Sequence, residues 1–154
     1  AVRVTKAEEY GLRLVIRLAS EGGQLAIREL ADQERLPETT VAKIVGRLRR
    51  AGVVTAERGR NGGYALTSPA DRITIARVVE AFDERIYDPA FCDRMSPGNE
   101  TCAHSTSCGL RPVWRGLAAV IGDFLAGITV ADVIQGGSRS STDSLLPVVT
   151  AQKL

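Results

Sequence analysis

Aromatic side chains make up only 5% of this 154-residue chain, which argues against a groove that stacks sugars or single-stranded bases. No apolar run approaches the ~20 residues that a membrane span needs. The first residues, Ala1 to Lys6, lack the apolar stretch of a signal peptide. Cysteine is limited to three residues, an odd number and too few for a disulfide scaffold, so a reducing compartment is expected. There is one histidine, His104. What is present suits a folded domain: 44% hydrophobic and 25% charged residues, enough to bury a core. The chain reads as soluble and cytoplasmic, with no membrane partner.

The net charge of +2 hides an asymmetry. Residues 1–70 carry a net +4 and residues 71–154 a net −2. Between Lys43 and Arg60 there are six basic residues and one acid, Glu57. A partner bearing negative charge would therefore be met in the first half.

Thr5 and Glu8 form a capping-box pattern that opens a first helix, with apolar residues at Ala7, Tyr10, Leu14 and Leu18 and a stop at Gly22-Gly23. A shorter helix fits Ile27 to about Gln33. Pro37 starts a third, whose apolar stripe is Val41, Ile44, Val45 and Leu48 and whose end is Gly52. Val53 to Arg58, a glycine-rich turn at Gly59–Gly63, and Tyr64 to Thr67 read as a hairpin. Three short helices followed by a two-stranded ribbon is the order of a winged helix-turn-helix. Thr74 can cap a fourth helix through Ala81.

Residues 84–108 show no period and contain all three cysteines; an aperiodic loop of this length is usually functional or disordered. Beyond it, Leu110, Trp114, Leu117, Ile121, Phe124 and Ile128 form a coiled-coil-like seam about 27 Å long at 1.5 Å per residue. With no second long helix to cover it, the seam suggests a homodimer. Thr129 and Asp132 cap a short terminal helix ending at Gly136-Gly137. The expected organisation is mainly α with a small β-hairpin. A winged helix-turn-helix domain spans 1–83, a cysteine loop 84–109, and a dimerisation helix with a short terminal helix 110–137. A Ser/Thr-rich tail spans 138–154.

On the third helix, Thr39, Lys43, Arg47 and Arg50 lie opposite the apolar stripe, with Thr40 at its margin. A helix-turn-helix lays such a face in the major groove of double-stranded DNA, where Lys and Arg favour guanine and Thr reaches base edges or phosphates. Arg58, Arg60 and Asn61 sit on the glycine turn, slim enough for a minor groove. DNA binding is the expectation.

Cys92, Cys102 and Cys108 are separated by nine and five residues, so no pair makes the C-x-x-C knuckle of a structural zinc ribbon. Three thiolates on one loop can instead wrap an iron–sulfur cluster with a fourth ligand from elsewhere: His104, Glu8, Glu9 or a small molecule. Thiols sensing oxidation or zinc without a cluster are the alternative. An enzyme using Cys102 or Cys108 as nucleophile and His104 as base lacks an evident oxyanion hole or orienting third group, so no catalytic residue is assigned.

From Arg3 to about Ile134 the sequence resembles the IscR, NsrR and RirA group of bacterial winged-helix regulators. The resemblance is carried by Arg3-Val4-Thr5-Lys6, by Arg47 through Val54, by the wing Arg58-Gly59-Arg60-Asn61-Gly62-Gly63-Tyr64, by Ile73-Thr74-Ile75 with Val78-Val79-Glu80-Ala81, by the three cysteines, and by Ile128 through Ile134. It implies a cytoplasmic homodimer whose iron–sulfur cluster controls DNA binding, and a small-domain dimer with no evident polymerase-contact segment favours a repressor over an activator. The gap between Cys92 and Cys102 is longer than in members of that group. IscR-like members with a 2Fe–2S cluster carry a histidine three residues after the last cysteine; here that position is Arg111, which cannot ligate. NsrR-like members, which hold a 4Fe–4S cluster and respond to nitric oxide, take a fourth ligand from an acidic residue near the partner subunit's N-terminus. Glu9 matches that position, so 4Fe–4S is favoured over 2Fe–2S.

Overall fold

The Thr5 hydroxyl accepts from the Glu8 amide at 3.2 Å while the Glu8 carboxylate accepts from the Thr5 amide at 2.8 Å. This reciprocal pair starts α1 (Lys6–Glu21), which ends at Gly22 in the left-handed region, φ 68°. In the computed structural model, residues 3–82, 87–88, 90–96, 98 and 101–137 are described. The expected tail at 138–154 lies outside them.

Next come α2 (Ile27–Glu34) and α3 (Glu38–Arg50), joined by a turn with Arg35 at φ 54°. Strands β1 (Val54–Glu57) and β2 (Gly63–Leu66) pair antiparallel, Val54 opposite Leu66 and Glu57 opposite Gly63. The hairpin has a third member that periodicity does not reveal. Leu25 and Tyr64 exchange backbone bonds of 3.0 and 2.8 Å, a bridge that ties the ribbon to the α1–α2 connection. A Cβ at Gly63 would come within 2.5 Å of the Leu25 carbonyl oxygen, so this approach needs glycine.

The core is continuous across these elements. Leu14, Val15 and Leu18 of α1 meet Leu30 of α2, the α3 stripe Val41, Ile44, Val45 and Leu48, and Val53 and Val54 entering β1, all buried. Thr74 caps α4 (Ile75–Val79), as its hydroxyl accepts from the Arg77 amide at 3.2 Å. The expected helix through Ala81 is shorter than read, because residues Glu80–Phe82 tighten into a 3-10 turn that buries Phe82.

The cysteine stretch contains a helix where an aperiodic loop is expected: α5 (Phe91–Met95). Five residues are too few to display a period. Helix α6 (Arg111–Ala126) is shorter than the seam read from Leu110 to Ile128, and it buries none of its residues fully. The seam also divides. Trp114, Leu117 and Ile121 are half-buried, whereas Leu110 and Phe124 are exposed together with Val113 and Val120, which lie off the seam. The helix thus spends one flank on α4 and leaves an adjacent apolar stripe uncovered in the single chain.

Helix α7 (Val130–Gly137) opens with reciprocal Thr129–Asp132 bonds of 2.8 and 3.1 Å. Val130 donates to the Ile73 carbonyl at 2.8 Å and Ile75 to the Ile128 carbonyl at 2.9 Å, and Val130 is fully buried. The terminal helix therefore shares the core of α1 and α4. No helix among the described residues is long and apolar enough to cross a membrane.

Candidate nucleic-acid interface and cysteine cleft

Helix α3 turns its apolar stripe inward, and this leaves Thr39, Lys43 and Arg50 exposed, with Thr40 half-buried at the margin. Arg49 is exposed as well, a basic residue the helical projection leaves off the DNA-facing set. Arg47 is placed differently from its neighbours. Its guanidinium donates to the Phe82 carbonyl and lies 4.9 Å from the centroid of the Phe82 ring. The reason is angular: Arg47 follows Ile44 by three residues, about 60° around the axis, on the border of the buried stripe.

At the wing, Arg58, Arg60 and Asn61 are all exposed. The turn closes through a 3.0 Å bond from the Gly62 amide to the Gly59 carbonyl, with Gly59 at φ 138°. Gln24 donates its side-chain amide to the Asn61 carbonyl at 2.5 Å and so holds the tip to the α1–α2 connection. Nothing in the local pattern singles out Gln24, because its partner is 37 residues away. Lys43, Arg49, Arg50, Arg58 and Arg60 pair with no carboxylate among the described residues. Their charge is available to an outside anion.

Cys92, on α5, and Cys102 line one cleft of about 360 Å³ with Ser96, Thr101, Ser105 and Arg111. The cleft wall is held by backbone-directed bonds. The Ser96 hydroxyl donates to the Cys92 carbonyl at 2.8 Å, the Ser105 amide to the Cys102 carbonyl at 2.9 Å, and Arg111 to the Ser105 carbonyl at 3.0 Å. Cys108 does not line the cleft; all three cysteines are half-buried free thiols. His104 is exposed on the turn between them.

The donors are the right kind for iron, but they do not converge as a set. Among the described residues no group of three or more His, Cys, Asp or Glu stands close enough to hold a metal ion. Glu8 is committed to the cap of α1 and is 7% exposed, while Glu9 beside it is exposed. Cys92 and Cys102 line one cleft together with Asp93, while Cys108, Glu8 and Glu9 lie outside its lining.

The family model described as "Rrf2: Iron-dependent Transcriptional regulator" matches residues 4–136. The transcriptional regulator IscR of Erwinia tasmaniensis is 30% identical over 135 residues, covering 86% of this chain and 79% of its own. Protein aau3 of Rhizobium meliloti is 33% identical, covering 87% and 86%. Among solved structures, CymR, the global cysteine regulator of B. subtilis, aligns with a TM-score of 0.68 at 25% identity, over 88% of this chain and 98% of its own. IscR of T. potens shares the fold, with a TM-score of 0.70 at 21% identity over 92% and 93%.

Proposed function

Because the chain belongs to the Rrf2 family of transcriptional regulators, we propose that it works as a cytoplasmic homodimeric repressor whose grip on double-stranded DNA is set by the state of its three cysteines. Thr39, Thr40, Lys43 and Arg50 of α3 read the major groove, and Arg58, Arg60 and Asn61 hold the flanking backbone or minor groove. The uncovered stripe of Leu110, Val113, Val120 and Phe124 supports a second copy packing along α6. A dimer neutralising about six phosphates would show log K falling with log salt at a slope near −5.

An iron–sulfur cluster is the occupant proposed for Cys92, Cys102 and Cys108, with Glu9 of the partner subunit as the fourth ligand. Three thiolates and one carboxylate would be the four donors that a 4Fe–4S cluster needs. Nitric oxide, redox state or the supply of clusters is the signal such a group would report. The observation that carries this reading is the set of three unpaired, half-buried thiols in the segment before α6, two of them lining one cleft. The IscR relatives support it too. The deciding experiment measures one duplex against cluster-loaded and cluster-free protein side by side. A tenfold or larger difference in affinity is expected, and equal affinity would overturn the reading.

A second reading treats the same cysteines as thiol sensors without metal. It is favoured by one observation: Cys92 and Cys102 share the cleft and Cys108 does not. Visible absorption together with iron and sulfide content of anaerobically prepared protein separates the two readings.

A further inference from the structure

We propose that Arg47 is a positioning residue of α3 and not a DNA contact: it ties the DNA-reading helix to Phe82 and thereby to the cysteine side of the molecule. This rests on the reading that α3 meets DNA. Three contacts hold the tie. The Arg47 guanidinium donates to the Phe82 carbonyl and covers the Phe82 ring at 4.9 Å. The ring itself is buried, 1% exposed, and its tip abuts α1 at Gly11, where no side chain stands in the way. Phe82 therefore cannot swing without disturbing either α1 or Arg47.

The other end of the tie reaches the cysteines through packed helices. Phe82 closes the 3-10 turn that continues α4, and α4 packs against both α1 and α6. On α6, Trp114 lies 6.4 Å from the ring of Phe91, the residue before Cys92. The Phe91 ring in turn lies 5.3 Å from that of Tyr87, tilted by 43°. A change at Cys92 that moves Phe91 presses on α6, α4 and Phe82 in order, and Arg47 is the last link before the groove-reading face. Such coupling is reciprocal, so DNA on α3 must also alter the surroundings of Cys92.

The test uses full-length, metal-free, reduced protein and a duplex recovered from a random-sequence pool by the wild-type chain. Arg47→Met keeps the apolar stem but removes the donor and the charge; Phe82→Leu leaves the Arg47 charge in place; Arg58→Ala is the contact control. Two quantities are read: the salt slope of DNA binding, and the rate at which iodoacetamide alkylates Cys92 with and without saturating duplex. A lost phosphate contact makes the slope shallower by roughly 0.9 per contact, about two per dimer. Arg58→Ala is expected to do this. Arg47→Met and Phe82→Leu are expected to weaken binding severalfold with the slope unchanged, and to abolish the DNA-dependent change in Cys92 alkylation that the wild type shows. A slope as shallow in Arg47→Met as in Arg58→Ala overturns the assignment, as does a wild-type-like DNA response of Cys92 in both variants, or no response in the wild type. If Arg58→Ala leaves the slope alone while Arg47→Met and Phe82→Leu behave as expected, the wing reading fails and the positioning role stands. If cluster loading does not alter DNA affinity but the Cys92 response is present and lost on substitution, the cluster reading fails and the tie remains.

Discussion

The tip of the Phe82 ring occupies the space that a Cβ on Gly11 would need. Gly11 is buried in the middle of α1, where glycine costs helix stability of about 1 kcal/mol relative to alanine. The cost is offset by the close approach of a fully buried aromatic ring.

Gly11→Ala should therefore lower stability despite the better helix former. Overpacking costs roughly 1–3 kcal/mol, which exceeds the helical gain and leaves a net loss of about 1 kcal/mol, or some 2–4 °C in melting temperature. Gly46→Ala on α3, where an added methyl meets nothing within 4 Å, should raise the melting temperature instead. Thermal denaturation of the two variants checks the pair. A Gly11→Ala protein as stable as wild type would mean that the Phe82 ring has room to move.

Glu34 makes stability acid-sensitive. Its carboxylate accepts from Arg17 Nε at 2.8 Å and from Arg13 Nε at 3.0 Å, and Arg13 also donates to the Glu34 backbone carbonyl at 2.6 Å. Burial alone would raise the carboxyl, but the two guanidiniums outweigh it and hold the group below its ordinary 4.5. A carboxyl depressed on folding contributes stability that is present above its unfolded value and lost as pH falls through the folded one. Glu34→Gln should therefore have a lower urea midpoint than wild type above about pH 5, with the gap closing in more acidic solution. A gap that persists unchanged at acid pH would show that the ion pairs are not its source.

Where the fold depends on neighbours in sequence, the sequence was legible. The Thr5–Glu8 and Thr129–Asp132 boxes span three residues each and both form. The α3 stripe is buried at the four positions its spacing indicates. Long-range relationships were not legible. Nothing local marks Gln24 as the anchor of the wing tip, Leu25 as a partner of Tyr64, or Phe82 as the partner of Arg47. Arg47 shows the limit of a helical projection. It assigns a residue to the outer face by angle alone, and a long side chain on the border of that face folds back onto whatever the tertiary structure supplies. The split of the α6 seam has the same origin, because α4 covers one flank of a helix whose apolar positions span two. Among the candidate site residues, the wing and the outer α3 positions were readable as exposed basic groups. The relative placement of three cysteines on an aperiodic segment was not, since no period constrains it.

Cysteine substitutions test the proposed cluster directly. Changing Cys92, Cys102 or Cys108 to Ala should each prevent stable assembly, because in the proposed site each thiolate would supply one iron bond and the sequence holds no fourth cysteine to replace it. His104→Ala should assemble normally. Iron, sulfide and visible absorption after anaerobic reconstitution are the measurements. Full iron and sulfide in the Cys108→Ala protein, with loss in Cys92→Ala and Cys102→Ala, would point to a two-thiol site in the cleft they share.

Adjacent acids at the start of α1 separate a structural role from a ligand role. The Glu8 carboxylate accepts from the Thr5 amide at 2.8 Å and from the Thr5 hydroxyl at 3.0 Å, and it is buried. Losing that cap should cost about 0.5–2 kcal/mol, so Glu8→Ala is expected to be less stable while assembling a cluster with the wild-type spectrum. Glu9 is exposed, and removing its side chain from the single chain should change stability by no more than about 0.5 kcal/mol. As the proposed fourth ligand, its carboxylate would be a harder and weaker partner for cluster iron than thiolate, and so the one open to exchange with a small molecule such as nitric oxide. A carboxylate donated across the dimer would also fix the spacing of the two α3 helices, on which operator affinity depends. Glu9→Ala is therefore expected to keep its melting temperature while changing the visible spectrum and losing the difference in operator affinity before and after nitric oxide. The opposite pattern, a wild-type spectrum and response in Glu9→Ala, would remove Glu9 from the ligand set and leave His104 or a bound small molecule as the fourth donor to test.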